Sequence, residues 1–171
     1  MKTKITYEDI MSYKPCYDPD ELGDIDKEKA LTIPQFVRLY RDRVKNKEDI
    51  VWVLCRNEYM SDKDMRLFAV WSVQEALKLD ENPDLRSVAA CDVAERFANG
   101  EATEKELAAA RAAGLAAGLA AAWDAAWAAG LAAGLAAAWA AAWAAARNAD
   151  WDATWDAQLD HLLTYFKSEK P

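Results

Sequence analysis

From Leu107 onward a large residue stands at every fourth position without a slip. The series runs Leu107, Arg111, Leu115, Leu119, Trp123, Trp127, Leu131, Leu135, Trp139, Trp143, Arg147, Trp151, Trp155, Leu159 and Leu163. Ala supplies 26 of the 42 residues from Ala108 to Ala149, so side-chain volume comes almost entirely from those tetrad positions. A larger unit is nested inside: Gly114 to Ala129 and Gly130 to Ala145 are the same sixteen residues, except that Asp124 becomes Ala140. Four residues advance an α-helix by about 400°, so each large side chain sits about 40° further round than the last. A coiled coil is excluded, because its seam repeats every 3.5 residues, or about 3.67 in the right-handed form. Rows spaced by four suit ridges crossing at about −50°. Such a helix is wrapped by neighbours on successive sides.

An unbroken helix from Glu104 to Phe166 would be about 95 Å long, against roughly 40 Å for the diameter of a compact domain of this size. Gly114, Gly118, Gly130 and Gly134 are the weak points, each costing about 1 kcal/mol relative to Ala. The expectation is a break near Gly130 and close-packed antiparallel helices, with Trp127 and its fellow tryptophans packed against Ala and Gly as core. A membrane span also has to be weighed. Ala125 to Ala146 carries no charge, is long enough to cross, and contains Gly130-x-x-x-Gly134. Alanine gives little insertion energy, however, and Trp139 would fall at the midplane rather than at an interface. The membrane reading is set aside.

Residues 1–100 have ordinary globular composition, and their helices have readable ends. Thr32-Ile33-Pro34-Gln35 has the capping-box form, with Pro tolerated in the first turn. The helix it opens carries Phe36, Val37, Leu39, Tyr40 and Val44. Glu48 to Tyr59 follows, and its apolar run Ile50 to Cys55 is read as a buried helix rather than a strand because helices flank it. Ser61 caps a helix over Asp62 to Leu79. Its stripe of Met65, Phe68, Ala69, Ser72, Ala76 and Leu79 is joined by Leu67, Val70, Trp71 and Val73, which makes it central. Asp84 caps another helix to about Ala98, and Asn99-Gly100 supplies the left-handed residue that ends it. Thr103-Glu104-Lys105-Glu106 is a second capping box. Before all of these, Lys14 to Lys29 reads as a surface loop after a short N-terminal turn. The fold class is all-α, a single domain over 1–171. A helical half spans residues 1–100, with repeat helices from 101–171 packed on it.

The chain carries 21 Lys and Arg against 29 Asp and Glu, a formal charge of −8. Direct nucleic-acid binding is not expected, since it needs a basic footprint to displace counterions from phosphate. One His and three Cys, with no C-x-x-C spacing, give little material for acid–base, nucleophilic or zinc chemistry. No enzyme activity, cofactor or metal is expected. An odd cysteine count and the absence of an apolar leader after Met1 point to a reducing cytoplasm. Asp18 to Lys29 approaches a calcium loop, with acids at its first and third positions and Gly23 at the sixth. Leu22 at the fifth and Lys29 at the twelfth break that pattern. Cys55 and Cys91 read as small core residues, and His161 as a histidine interacting with the last carbonyls of its helix.

The candidate partner-binding residues are Asp150, Asp152, Asp156 and Asp160. The last three recur at i, i+4 and i+8, and no Lys or Arg is expected to pair with them. A solvated face is one reading. The other is a strip that steers a basic protein partner. Neutralising it is expected to leave stability unchanged or slightly raised, because like charges one turn apart repel.

The stretch Asn82-Pro83-Asp84-Leu85-Arg86-Ser87-Val88-Ala89-Ala90, followed by Ala94-Glu95-Arg96-Phe97-Ala98-Asn99-Gly100 and the run from Glu101 to Arg111, resembles an immunity-protein family of bacteria and phages. That family has a helical N-terminal half and a tail of Ala-rich tetrads. Asp49-Ile50-Val51-Trp52 and Arg66-Leu67-Phe68-Ala69-Val70-Trp71 fit its general pattern, and the similarity covers about residues 48–163. The Gly-Leu tetrads depart from it, standing where Arg, Asp or a further aromatic is expected. The resemblance implies a non-enzymatic inhibitor that masks a toxin or effector, and it transfers no catalytic residue. The alternatives are a phage or mobile-element inhibitor of a bacterial defence nuclease, with carboxylates imitating phosphate, or a self-assembling helical protein whose tail packs between copies.

Overall fold

The computed structural model describes residues 1–15, 29–44, 46–78, 81, 83–116 and 151–166. Among them the chain is all-α, with a two-residue ladder as the sole sheet. Lys4–Ile5 (β1) pairs antiparallel with Leu31–Thr32 (β2), Lys4 opposite Thr32 and Ile5 opposite Leu31. This ladder is an addition to the sequence reading. Two residues are too few to carry a period, and Ile5 is buried as its core-facing member.

The caps form where the sequence places them. Tyr7–Ser12 (α1) opens on Thr6, whose Oγ1 accepts from Asp9 N at 3.1 Å while Asp9 Oδ2 accepts from Thr6 N at 3.0 Å. Ile33–Tyr40 (α2) opens on the same reciprocal pair, Thr32 with Gln35, and holds Pro34 in its first turn. It stops at Tyr40, earlier than Val44, and Val44 reaches the core from the turn beyond. Glu48–Leu54 (α3) confirms the apolar run as a helix and buries Ile50, Val51, Val53 and Leu54. It ends at Cys55, where ψ rises to 59°, and a turn closed by Met60 N–H on the Arg56 carbonyl replaces the expected extension to Tyr59.

Asp62–Leu77 (α4) is capped by Ser61 and is the hub. Met65, Phe68, Ala69, Val70, Ser72, Val73, Ala76 and Leu77 are all buried, because Leu85–Ala98 (α5) lies along one side and the last helix along another. Leu79 lies outside the described residues. The α5 C-terminus is a Schellman turn. Gly100 has φ +78°, its N–H bonds to the Phe97 carbonyl, and Glu101 N–H bonds to the Arg96 carbonyl. A side chain at Gly100 would be strained by that φ although nothing crowds it. The turn sends the chain back along α5 as Glu104–Ala116 (α6), opened by Thr103 and Glu106 in the expected capping box.

The chain is next described at Trp151–Leu162 (α7) and a 3₁₀ turn over Leu163–Phe166. Trp155, Leu159 and Leu162 are fully buried in the same core cluster that contains Leu107, Phe68, Val37 and Leu54. Leu107 in α6 and Trp155 in α7 thus belong to one core cluster. The expected break near Gly130, the tryptophans from Trp123 to Trp143 and the uncharged span Ala125 to Ala146 lie outside the described residues. No helix among the described residues is long and apolar enough to cross a membrane.

Candidate functional site on the last helix

Helix α7 has a dry side and a charged side. Trp155, Leu159 and Leu162 insert between α3 and α4, with Gln158 as the polar member of that face. Ser72 Oγ lies 2.7 Å from Gln158 Oε1 and 2.9 Å from the Phe68 carbonyl, so the buried polar groups meet one another. Asp156 and Asp160, one turn apart, follow the rim where α7 meets the turn after α2.

At that rim the aspartates are not left to solvent. Arg41 Nη2 donates to Asp156 Oδ1 at 2.9 Å, and Arg41 Nη1 donates to Asp160 Oδ1 at 2.7 Å. Lys47 Nζ donates to Asp156 Oδ2 at 2.9 Å. The expectation of a strip without cations is therefore corrected: Arg41 and Lys47 arrive from more than a hundred residues away. Removing both carboxylates would strand Arg41, so the expected small gain in stability reverses to a loss.

Burial pushes the Asp156 carboxyl up, but the hydrogen bonds from Lys47 and Arg41 outweigh it and hold the group below its ordinary range. The Asp160 hydrogen bond is the largest influence raising Arg41; burial works the other way, and Asp156 adds to the rise. Asp160 keeps 66 % of its side chain exposed, against 38 % for Asp156. Asp160 is thus tethered by Arg41 while most of its side chain stays exposed. Asp150 lies outside the described residues, as does the side chain of Asp152.

His161 follows on α7 but does not lie against helix carbonyls. Its ring stacks face to face on Trp71, centroids 3.8 Å apart and planes within 3°. Phe68 continues the stack, and Tyr165 Oη lies 3.4 Å from Nε2. Burial lowers its pKa, partly offset by the nearby Glu75 carboxylate. Cys55 and Cys91 are core residues as expected. Burial raises both thiols, Cys91 to about 12 with help from Glu95. No group of three His, Cys, Asp or Glu side chains that could hold a metal occurs among the described residues. The calcium-like run 18–29 lies almost wholly outside them.

A cavity of about 470 Å³, not foreseen from the sequence, opens between β2, the start of α2 and the 3₁₀ turn. Lys2, Ile33, Arg38, Tyr59, Tyr165 and Phe166 are among its lining. Lys2 is committed to Asp9 at 2.6 Å, and Arg38 Nε donates to the Pro34 carbonyl at 3.1 Å. Tertiary closure of the N-terminal ladder onto the last turn forms this cavity, and no local motif signals it.

Comparison with family models, curated proteins and solved structures finds no match to this chain.

Proposed function

We propose that this chain is a non-enzymatic binding protein that masks a basic toxin or effector, in the manner of an immunity protein, and that it acts in the cytoplasm. The observation that supports this most is the state of the α7 rim. Asp160 is tethered by Arg41 yet keeps most of its side chain exposed, which suits a steering or rim contact. The described histidine and cysteines are meanwhile engaged in packing. The chain's one histidine is stacked on Trp71, and the Cys55 and Cys91 thiols are held protonated in the core.

Imitation of nucleic acid is the weaker version of the same idea. A phosphate mimic presents a series of uncompensated charges, and Arg41 and Lys47 compensate Asp156. Self-assembly through the tryptophan-rich tail is the rival from another class.

The test is capture of partners from the native host by the wild-type chain, identified by mass spectrometry, followed by stopped-flow association at two salt concentrations. A basic partner that associates more slowly with Asp160→Asn, by a margin that shrinks at high salt, is the expected result. Equal rates at both salt concentrations would end the acidic-contact reading. Recovery of no partner, with light scattering reporting an assembly of copies, would favour self-association.

A further inference from the structure

Five Lys or Arg residues among the described ones are half-buried: Arg41, Lys47, Arg56, Arg66 and Arg96. Four of them have a carboxylate within 4.0 Å. Arg41 and Lys47 meet Asp156, Arg66 meets Asp62 at 4.0 Å, and Arg96 meets Glu106 at 3.6 Å. Arg56 is the exception. In a chain of net charge −8, a half-buried cation without an acid beside it calls for an explanation.

The surroundings of Arg56 are built, not incidental. Helix α3 stops at Leu54, so Arg56 lies in the following turn and its guanidinium packs on two rings. Its central carbon lies 4.0 Å from the Tyr13 ring centroid and 4.2 Å from that of Trp52. Tyr13 is pinned in turn, donating its hydroxyl to the buried Tyr59 hydroxyl at 3.0 Å. Nε is buried with no hydrogen-bond partner. The terminal nitrogens are not buried and have no partner among the described residues, which leaves them as the open edge of the group. Two aromatic rings thus pack against the guanidinium.

We propose that the Tyr13–Arg56–Trp52 stack is a receptor for an oxyanion, a carboxylate or a phosphate group presented by a binding partner. A guanidinium recognises such a group through two parallel N–H···O bonds in its own plane. Two rings packed against the guanidinium restrict its rotation in advance, so less side-chain freedom remains to be lost on binding. Arg, Trp and Tyr are also the residues that most often dominate binding at protein interfaces. The stack is separate from the α7 rim, and the proposal stands whether or not Asp160 contacts a partner.

The experiment is a side-chain NMR titration of the whole chain with sodium acetate and, separately, inorganic phosphate, at constant ionic strength against sodium chloride. A saturable shift of the Arg56 guanidinium and Trp52 indole resonances is expected, about tenfold tighter than any at the exposed Arg38 and Arg43. A preference for acetate would identify a carboxylate, and a preference for phosphate a phosphoryl group. Arg56→Lys keeps the charge but loses the fork, and should abolish the Trp52 shift with the circular dichroism spectrum unchanged. Should that variant fail to fold, the wild-type titration alone decides. Absence of a saturable shift, or one no tighter than at Arg38, would overturn the proposal. So would Arg56 terminal protons that exchange as slowly as those of Arg41 before any anion is added, since the fork would then already be filled.

Discussion

The two described ends of the alanine-rich half share one tetrad series yet behave in opposite ways. At its start, in α6, Leu107 is buried and Ala110 partly so, while Arg111 and most of the alanines between face outward. At its end, in α7, Trp155 and Leu159 are both wholly inside the core, with Gln158 and Leu162 beside them. A period of four on one strand of sequence therefore does not decide burial. What decides it is what the body offers. Among the described elements, helix α6 packs most extensively against α5, through a seam of small residues such as Ala94 and Ala98. Helix α7 enters a cleft between α3 and α4 that is deep enough for an indole. Large residues at regular spacing state a capacity for packing, and the partner surface sets how much of it is realised.

The largest expected effect tests that contrast directly. Trp155→Ala should cost about 3–5 kcal/mol, read from the urea midpoint. Arg111→Ala, at another tetrad position, should stay within about 0.5 kcal/mol. Similar losses at both would break the comparison. Leu107→Ala sharpens it, because a single buried leucine at the edge of the core should cost about 2 kcal/mol. A loss as large as that of Trp155→Ala would mean that α6 is as deeply committed as α7.

Next comes the charged rim. Arg41→Ala should lower stability by about 1 kcal/mol, a figure already discounted for the exposure of Asp156 and Asp160. The pH dependence has a definite sign. The folded pKa of Asp156 is depressed, so its contribution is present above the ordinary aspartate range and is lost as the pH falls through the folded value. Acid denaturation of Arg41→Ala should therefore begin from a lower plateau and show a shallower fall in this range than wild type.

The smallest effect is at His161. Its pKa is lowered from 6.5, so the folded state binds its proton more weakly than the unfolded chain does. Stability from this residue is present above pH 6.5 and declines as the pH falls toward the folded value. His161→Gln should flatten the curve of stability against pH as the pH falls below the ordinary histidine value of 6.5. An unchanged slope would show that other groups carry it.

The parts of the fold that were legible in the sequence are those written over a few neighbouring residues. The Thr32–Gln35 and Thr103–Glu106 boxes, the Ser61 and Asp84 caps and the Gly100 terminator all depend on partners within five positions, and all are found. The central place of α4 was readable because apolar residues cover most of its circumference. What escaped reading depends on separation. Arg41 and Asp160 are 119 positions apart, and no local pattern marks either as the other's partner. The Arg56 stack needs Tyr13 from the end of α1, and the Trp71–His161 stack needs two helices that meet only in the folded chain. The candidate strip was therefore found by its spacing, but its electrical state was not.

The seat of α7 in the body also has a consequence for synthesis. Pairings between residues near 41 and 72 and those near 156 to 160 give the domain a high contact order, and closing so long a loop is slow. Until residues 155–162 have left the ribosome, the cleft of α3 and α4 around Phe68 and Leu54 lacks Trp155, Leu159 and Leu162, which fill it in the folded chain. A nascent chain stalled before that point would carry an open apolar surface, and would be a natural client for a chaperone that shields such surfaces until the last helix arrives.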